Sequence, residues 1–86
     1  MPTSKQPELV AFGRALRVIR EAKGLSQEGL ADLAGLHRTY IGGIERGERN
    51  LSLRNLFAVG RGLGISVSAL LQTSEAYLGA KTRGRP

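Results

Sequence analysis

Between Ser26 and Gly47 the chain reads SQEGLADLAGLHRTYIGGIERG, and its chemistry is concentrated in the second half of that stretch. Ile41 and Ile44, three residues apart, mark the inward face of a helix. Arg38, Thr39, Gly42, Gly43 and Arg46 are left facing outward. Arg49 follows two residues after Gly47. A guanidinium is a planar fork that meets two phosphate oxygens, or O6 and N7 of a guanine, with two bonds at once. Covalent chemistry has no comparable set. Asp32, His37 and several hydroxyls are present, but no nucleophile, base and orienting group fall into a recognisable arrangement, so no catalytic residues are expected. Gly42 and Gly47 have the spacing of a phosphate-binding loop. Glu48 and Arg49 stand where that motif needs Lys and Ser or Thr, which rejects nucleotide binding. One histidine and no cysteine cannot assemble a metal centre, and no cofactor is expected.

The charge balance points the same way as the arginines. Thirteen Lys plus Arg against seven Asp plus Glu give a net charge of +6, and ten of the thirteen are arginine, which favours a polyanion as partner. Apolar runs such as Leu9–Phe12 are four residues long, far below the roughly 18 that a membrane span requires. No basic amphipathic helix with bulky aromatics suggests a membrane surface either. The absence of cysteine is compatible with a cytoplasmic location. Eighty-six residues with two Phe, two Tyr and no Trp make one small core with little stability in reserve.

The elements that must hold the outward arginines are helices. Leu9, Phe12, Leu16 and Ile19 step by three, four and three, an amphipathic stripe that ends before Gly24, with Arg14, Arg17, Glu21 and Lys23 opposite. Ser26 caps a second helix, in which Leu30, Ala31 and Ala34 face inward and Glu28 and Asp32 outward. Gly35 ends that helix in the left-handed conformation and turns the chain into the third. Ser52 caps a fourth helix, with Leu53, Leu56, Gly60 and Leu63 on one face. Ser66 starts a short fifth whose Val67, Leu70 and Leu71 close the core.

Gln27 opening the second helix, the small Ala31 at the helix crossing, Gly35 at the turn and the packing pair Ile41 and Ile44 resemble the DNA-binding helix-turn-helix of the Cro/repressor (XRE-type) family. The resemblance implies an all-α fold, a compact five-helix repressor-like domain with the helix-turn-helix at its second and third helices. The expected organisation is a flexible arm over residues 1–7, the DNA-binding domain over 8–72, and an extension over 73–86. That extension ends in a basic tail carrying Lys81, Arg83 and Arg85.

Residue roles follow from the resemblance. Arg38 and Thr39 occupy the first outward turn of the recognition helix and are expected to read bases, although Arg38 could equally hold a phosphate. Gly43, with Gly42, stands where the family often carries longer polar residues. Either the backbone approaches the groove closely there, or direct readout is lost at those base pairs. Gln27, His37, Tyr40, Arg46 and Arg49 are the expected contacts to the DNA backbone. His37 could also be a neutral surface residue, Tyr40 a cover for the core, and Arg46 a base contact. Arg20 and Glu45 match a family ion pair that ties the first helix to the third. The implied partner is double-stranded DNA, bound by a homodimer at an inverted repeat, with no small-molecule effector. Tyr77 and Leu78, with Ile65, Val67 or Leu71, are candidates for the subunit contact or for core. The segment LHRTYIGGIERGERNLSL resembles the controller proteins of restriction-modification systems, and an antitoxin-like protein-binding module is the competing class.

Overall fold

A computed structural model describes residues 6–82, which form five α-helices: α1 (Pro7–Ala22), α2 (Gln27–Ala34), α3 (Arg38–Glu45), α4 (Leu53–Leu63) and α5 (Val67–Thr82). Each start has a local cause. Pro7 occupies the first turn of α1, where its missing N–H is no loss, and Glu8 faces the positive end of the helix. The hydroxyls of Ser26, Ser52 and Ser66 accept the backbone N–H of Gly29, Asn55 and Ala69 at 2.9, 3.1 and 3.1 Å. Helices α1 to α4 each run into a glycine of positive φ, and after three of them the next residue, Leu25, Leu36 or Ile65, packs on the core. After Gly47 the next residue is the exposed Glu48.

All five helices contribute to one core: Phe12 and Leu16 from α1, Leu30 and Ala31 from α2, Ile41 and Ile44 from α3, Val59 and Leu63 from α4, and Leu70 from α5. Helix α1 lies between α3 and α5, while α2 packs against α3 and α4. Two glycines set how closely these helices approach. A Cβ at Gly13 would stand 2.6 Å from the Glu45 carbonyl oxygen and closer still to that of Ile44, so α1 runs against the backbone of α3. At Gly62 a Cβ would be 2.9 Å from Leu30 and 3.2 Å from the Ala34 nitrogen, where α4 crosses α2.

The structure departs from the expected pattern at the C-terminal side. Helix α5 does not stop near residue 72 but continues to Thr82 along α1, so the expected boundary falls inside a helix. Ser74 is buried there, and Tyr77 lies beneath Arg14, whose guanidinium carbon is 4.9 Å from the ring centre. Polar residues obscure this helix in the sequence because their cost is met locally. The hydroxyls of Thr73 and Ser74 donate to the carbonyls of Ala69 and Leu70 one turn back, at 3.1 and 3.0 Å. On α4 the inward face is Ala58, Val59, Gly60 and Leu63, whereas Leu53, expected inside, is 68% exposed. Residues 1–5 of the expected arm and Arg83 and Arg85 of the basic tail lie outside the described residues.

Gly13→Ala is expected to destabilise the protein by about 1–3 kcal/mol through overpacking, despite the higher helix propensity of alanine. Urea unfolding followed by circular dichroism measures it, and a stability equal to wild type would show that α1 can draw back without loss.

Candidate nucleic-acid interface

The turn between α2 and α3 is fixed by backbone hydrogen bonds. Gly35 has φ 72°, and the Leu36 N–H donates to the Ala31 carbonyl at 2.9 Å, folding the chain back over the last turn of α2. Leu36, half-buried, anchors the turn on the core. Helix α3 then starts after His37, which sits at the capping position without a side-chain cap and is exposed. With Ile41 and Ile44 fully buried, the first outward turn of α3 presents Arg38 and Thr39. Both are exposed, and among the described residues neither side chain makes a hydrogen bond or ion pair.

The far end of α3 is held by a buried ion pair. Arg20 Nε and Nη2 donate to the two carboxylate oxygens of Glu45 at 2.6 and 3.0 Å, and Arg20 Nη1 donates to the Leu25 carbonyl at 2.8 Å. The side chains are 9% and 4% exposed, so water contributes little to either charge. Hydrogen bonding to Glu45 raises the Arg20 pKa above its ordinary value, against the opposing effect of burial. Gln27, expected at a phosphate, donates Nε2 to Glu45 Oε1 at 2.9 Å, so its amide completes this network and links the start of α2 to the end of α3.

Tyr40, expected at the DNA backbone, is held within the fold. Its hydroxyl donates to the Asn50 carbonyl and accepts from Asn55 Nδ2, both at 3.2 Å, joining α3 to the following loop and to α4. Asn50 and Asn55 carry no sequence signal for this role, because their meeting with Tyr40 depends on how α4 is placed. Gly42 and Gly43 face the expected side of α3, yet both are buried, covered by long side chains. A Cβ at Gly42 would be 3.1 Å from Arg46 Nη1 and 3.4 Å from Gln27 Oε1. One at Gly43 would be 2.7 Å from Arg49 Cγ. Gly43 therefore offers no bare backbone to a groove in this arrangement. Arg46 Nε pairs with Glu48 at 3.1 Å, an exposed contact that a phosphate can replace at little cost.

Arg38 at the start of α3, Arg46 at its end and Arg49 in the following turn are all exposed, which makes this stretch basic. Glu28 and Asp32 of α2 line a shallow cleft with Gly35, His37 and Arg38, an acidic wall on one side of the recognition helix. The sequence pattern placed these carboxylates outward without revealing that they flank Arg38. Among the described residues no three His, Cys, Asp or Glu side chains converge as a metal site, and no single helix is long and apolar enough to cross a membrane.

Comparison with known proteins identifies the family and the fold. Residues 16–70 match the family described as Helix-turn-helix. Over 56 residues the chain is 50% identical to the control protein C.SmaI of Serratia marcescens, covering 65% of this chain and 67% of that one. It is 49% identical over 61 residues to the control protein C.BamHI of Bacillus amyloliquefaciens, covering 70% and 75%. Among solved structures, the restriction-modification controller protein C.AhdI from Aeromonas hydrophila superposes with a TM-score of 0.74 at 52% identity, over 76% of this chain and 98% of that one.

Truncating either ion-pair partner, Arg20→Ala or Glu45→Ala, is expected to cost about 3–5 kcal/mol because the other buried charge loses its hydrogen-bonded counter-charge. Replacing both with apolar residues of similar size should cost less than either single change. Chemical denaturation of the three variants decides it, and equal losses throughout would mean that packing rather than charge dominates. Tyr40→Phe is expected to lose about 1 kcal/mol in the same assay.

Proposed function

The chain belongs to the XRE-type helix-turn-helix family of transcriptional regulators, and from that premise we propose that it is a restriction-modification controller that binds double-stranded DNA as a homodimer at an inverted repeat. The observation that carries the proposal is the state of Arg38 and Thr39. They are exposed on the first turn of α3 without side-chain partners among the described residues, on a helix whose other face is locked into the core.

In this reading α3 enters the major groove by its N-terminal end. Arg38 takes O6 and N7 of a guanine, and Thr39 offers a hydroxyl and a methyl to a neighbouring pair. His37, Arg46 and the N–H groups at the start of α2 meet phosphates on either side, Arg46 exchanging Glu48 for the nucleic acid. Gln27 and Tyr40 act through the protein, the first by holding Glu45 and the second by fixing the loop after α3. One recognition helix touches only a few base pairs, which supports a two-fold arrangement with half-sites about one helical turn, roughly 34–36 Å, apart. Leu53, Phe57 and Leu71 are exposed apolar side chains on α4 and α5, and their burial against a second copy would stabilise such a dimer.

Selection from a randomised duplex library at physiological salt is expected to enrich an inverted repeat, with two chains per duplex by sedimentation. Arg38→Ala should weaken binding to the selected site by about 1–3 kcal/mol and relax preference at one position of each half-site. Retention without enrichment, vanishing as salt rises, would reduce the protein to a non-specific DNA binder.

A further inference from the structure

Gln27 is the first residue of α2, but its side chain acts at α3. Glu45 only accepts hydrogen bonds, and its Oε1 takes both Arg20 Nη2 at 3.0 Å and Gln27 Nε2 at 2.9 Å. That carboxylate fixes which way the amide lies. Turned over, the Gln27 oxygen would face a group with no proton to give, and the bond would be lost. With Nε2 held by Glu45, Oε1 lies 3.4 Å from the point that a Cβ at Gly42 would occupy. Arg46, the residue that ends α3, reaches the same point: its Nη1 is 3.1 Å away, while its Nε pairs with Glu48 at 3.1 Å. Glu48 is itself placed by the turn after α3. Gly47 has φ 76°, and the Glu48 N–H donates to the Gly43 carbonyl at 2.9 Å.

Gly42 is buried because these two side chains border it, and it has no side chain of its own to part them. Of the two amide atoms of Gln27 the oxygen is the nearer to the vacant Cβ position, at 3.4 Å against 3.8 Å for Nε2. An amide oxygen suits a guanidinium N–H and not a phosphate oxygen, since the amide oxygen and the phosphate both accept. Among the described residues Arg46 Nη1 makes no hydrogen bond, its guanidinium being engaged through Nε alone. An acceptor and an unused donor therefore stand beside one glycine.

We propose that Gln27 is a positioning residue for the phosphate contact of Arg46. As a phosphate displaces Glu48 from Arg46, the Gln27 amide oxygen accepts Nη1, and the guanidinium stays over Gly42 while it passes from one anion to the other. Glu48 can hold Arg46 only by offsetting the charge that a phosphate needs. Gln27 is neutral and holds it without that loss, which limits the freedom that a long side chain gives up on binding. The buried network of Arg20, Glu45 and Gln27 thereby extends to a residue of the interface. The inference rests on the DNA-binding reading above and gives Gln27 a role in it that acts through Arg46.

The test measures binding to the selected duplex and unfolding in urea for Gln27→Met, Gly42→Ala and Arg46→Ala, and for each of the first two combined with Arg46→Ala. Gln27→Met keeps the length of the side chain and removes the amide. Gly42→Ala sets a methyl group between the two partners without removing either, in a helix that alanine favours. Gln27→Met should bind about five- to tenfold more weakly and Gly42→Ala about two- to threefold. Both losses should vanish in the Arg46→Ala background, where there is no guanidinium to position. Arg46→Ala should itself bind more weakly, with a salt slope lower by about one. The urea midpoint should fall for Gln27→Met, which also loses its bond to Glu45, and by the same amount with or without Arg46. Gly42→Ala should unfold no earlier than wild type, and it decides the matter alone if Gln27→Met does not fold. Losses in binding that persist undiminished without Arg46 make Gln27 a direct DNA contact or a purely structural residue and overturn the proposal. Unchanged binding by Gln27→Met and Gly42→Ala, or by Arg46→Ala, overturns it as well. If wild type enriches no operator, the specific DNA-binding reading fails and this inference with it, whereas a wild type that selects a site while the double variants are additive sinks only the inference.

Discussion

The hydrogen-bonded ion pair between Arg20 and Glu45 is the constraint on which the arrangement of this small domain depends. Two charges lie almost out of contact with water, and the geometry satisfies them: Glu45 accepts from Arg20 twice and from Gln27 once, and Arg20 also reaches the Leu25 carbonyl. Such a pair gives little net stability over apolar side chains of the same size, but it tolerates few alternative geometries. It joins the end of α1, the start of α2 and the end of α3 at one point. A shift of the recognition helix by one turn, or a rotation about its axis, would strand a buried carboxylate. The pair therefore acts on register more than on total stability.

Close backbone packing supports the same register from a second side. At Gly13 helix α1 runs against the carbonyls of Ile44 and Glu45, the last turn of α3. Apolar burial of Ile41 and Ile44 supplies the driving force, but burial alone is indifferent to small rotations. Charge, hydrogen bonds and a steric stop together remove that freedom. With α3 fixed from below, its outward residues are displayed in a defined direction, as the base reading proposed above would need.

The surface shaped on that scaffold is drawn from more than one element. Arg38 and Thr39 come from α3, Arg46 from its end and Arg49 from the turn beyond, folded back by Gly47. Glu28 and Asp32 stand beside Arg38, and Glu48 is paired with Arg46. A basic surface interrupted by carboxylates attracts a polyanion less uniformly than arginines alone would. Phosphates falling near the carboxylates are repelled, and those near the guanidinium groups are held, which favours some placements of the duplex over others.

Much of this was legible in the residues because it is local. The 3.6-residue stripes of α1 to α3, the serine caps and the glycine stops act within one or two turns, and the pattern from Gln27 to Ile44 is specific enough to identify the family. Residue types also sufficed to recognise a basic, arginine-rich chain. The course of α5 along α1 was not legible. Its hydroxyl-bearing residues break the apolar stripe, and their burial is tolerated only because each bonds to its own helix. Nor could sequence show that Tyr40 is held by Asn50 and Asn55, that Gln27 turns toward Glu45, or that Gly43 lies under Arg49. The sequence by itself determined the first three helices, their inward faces and the family. Tertiary structure alone decided which outward side chains stay free and which are held by the fold, because a side chain's hydrogen-bond partners depend on residues brought beside it from elsewhere in the chain.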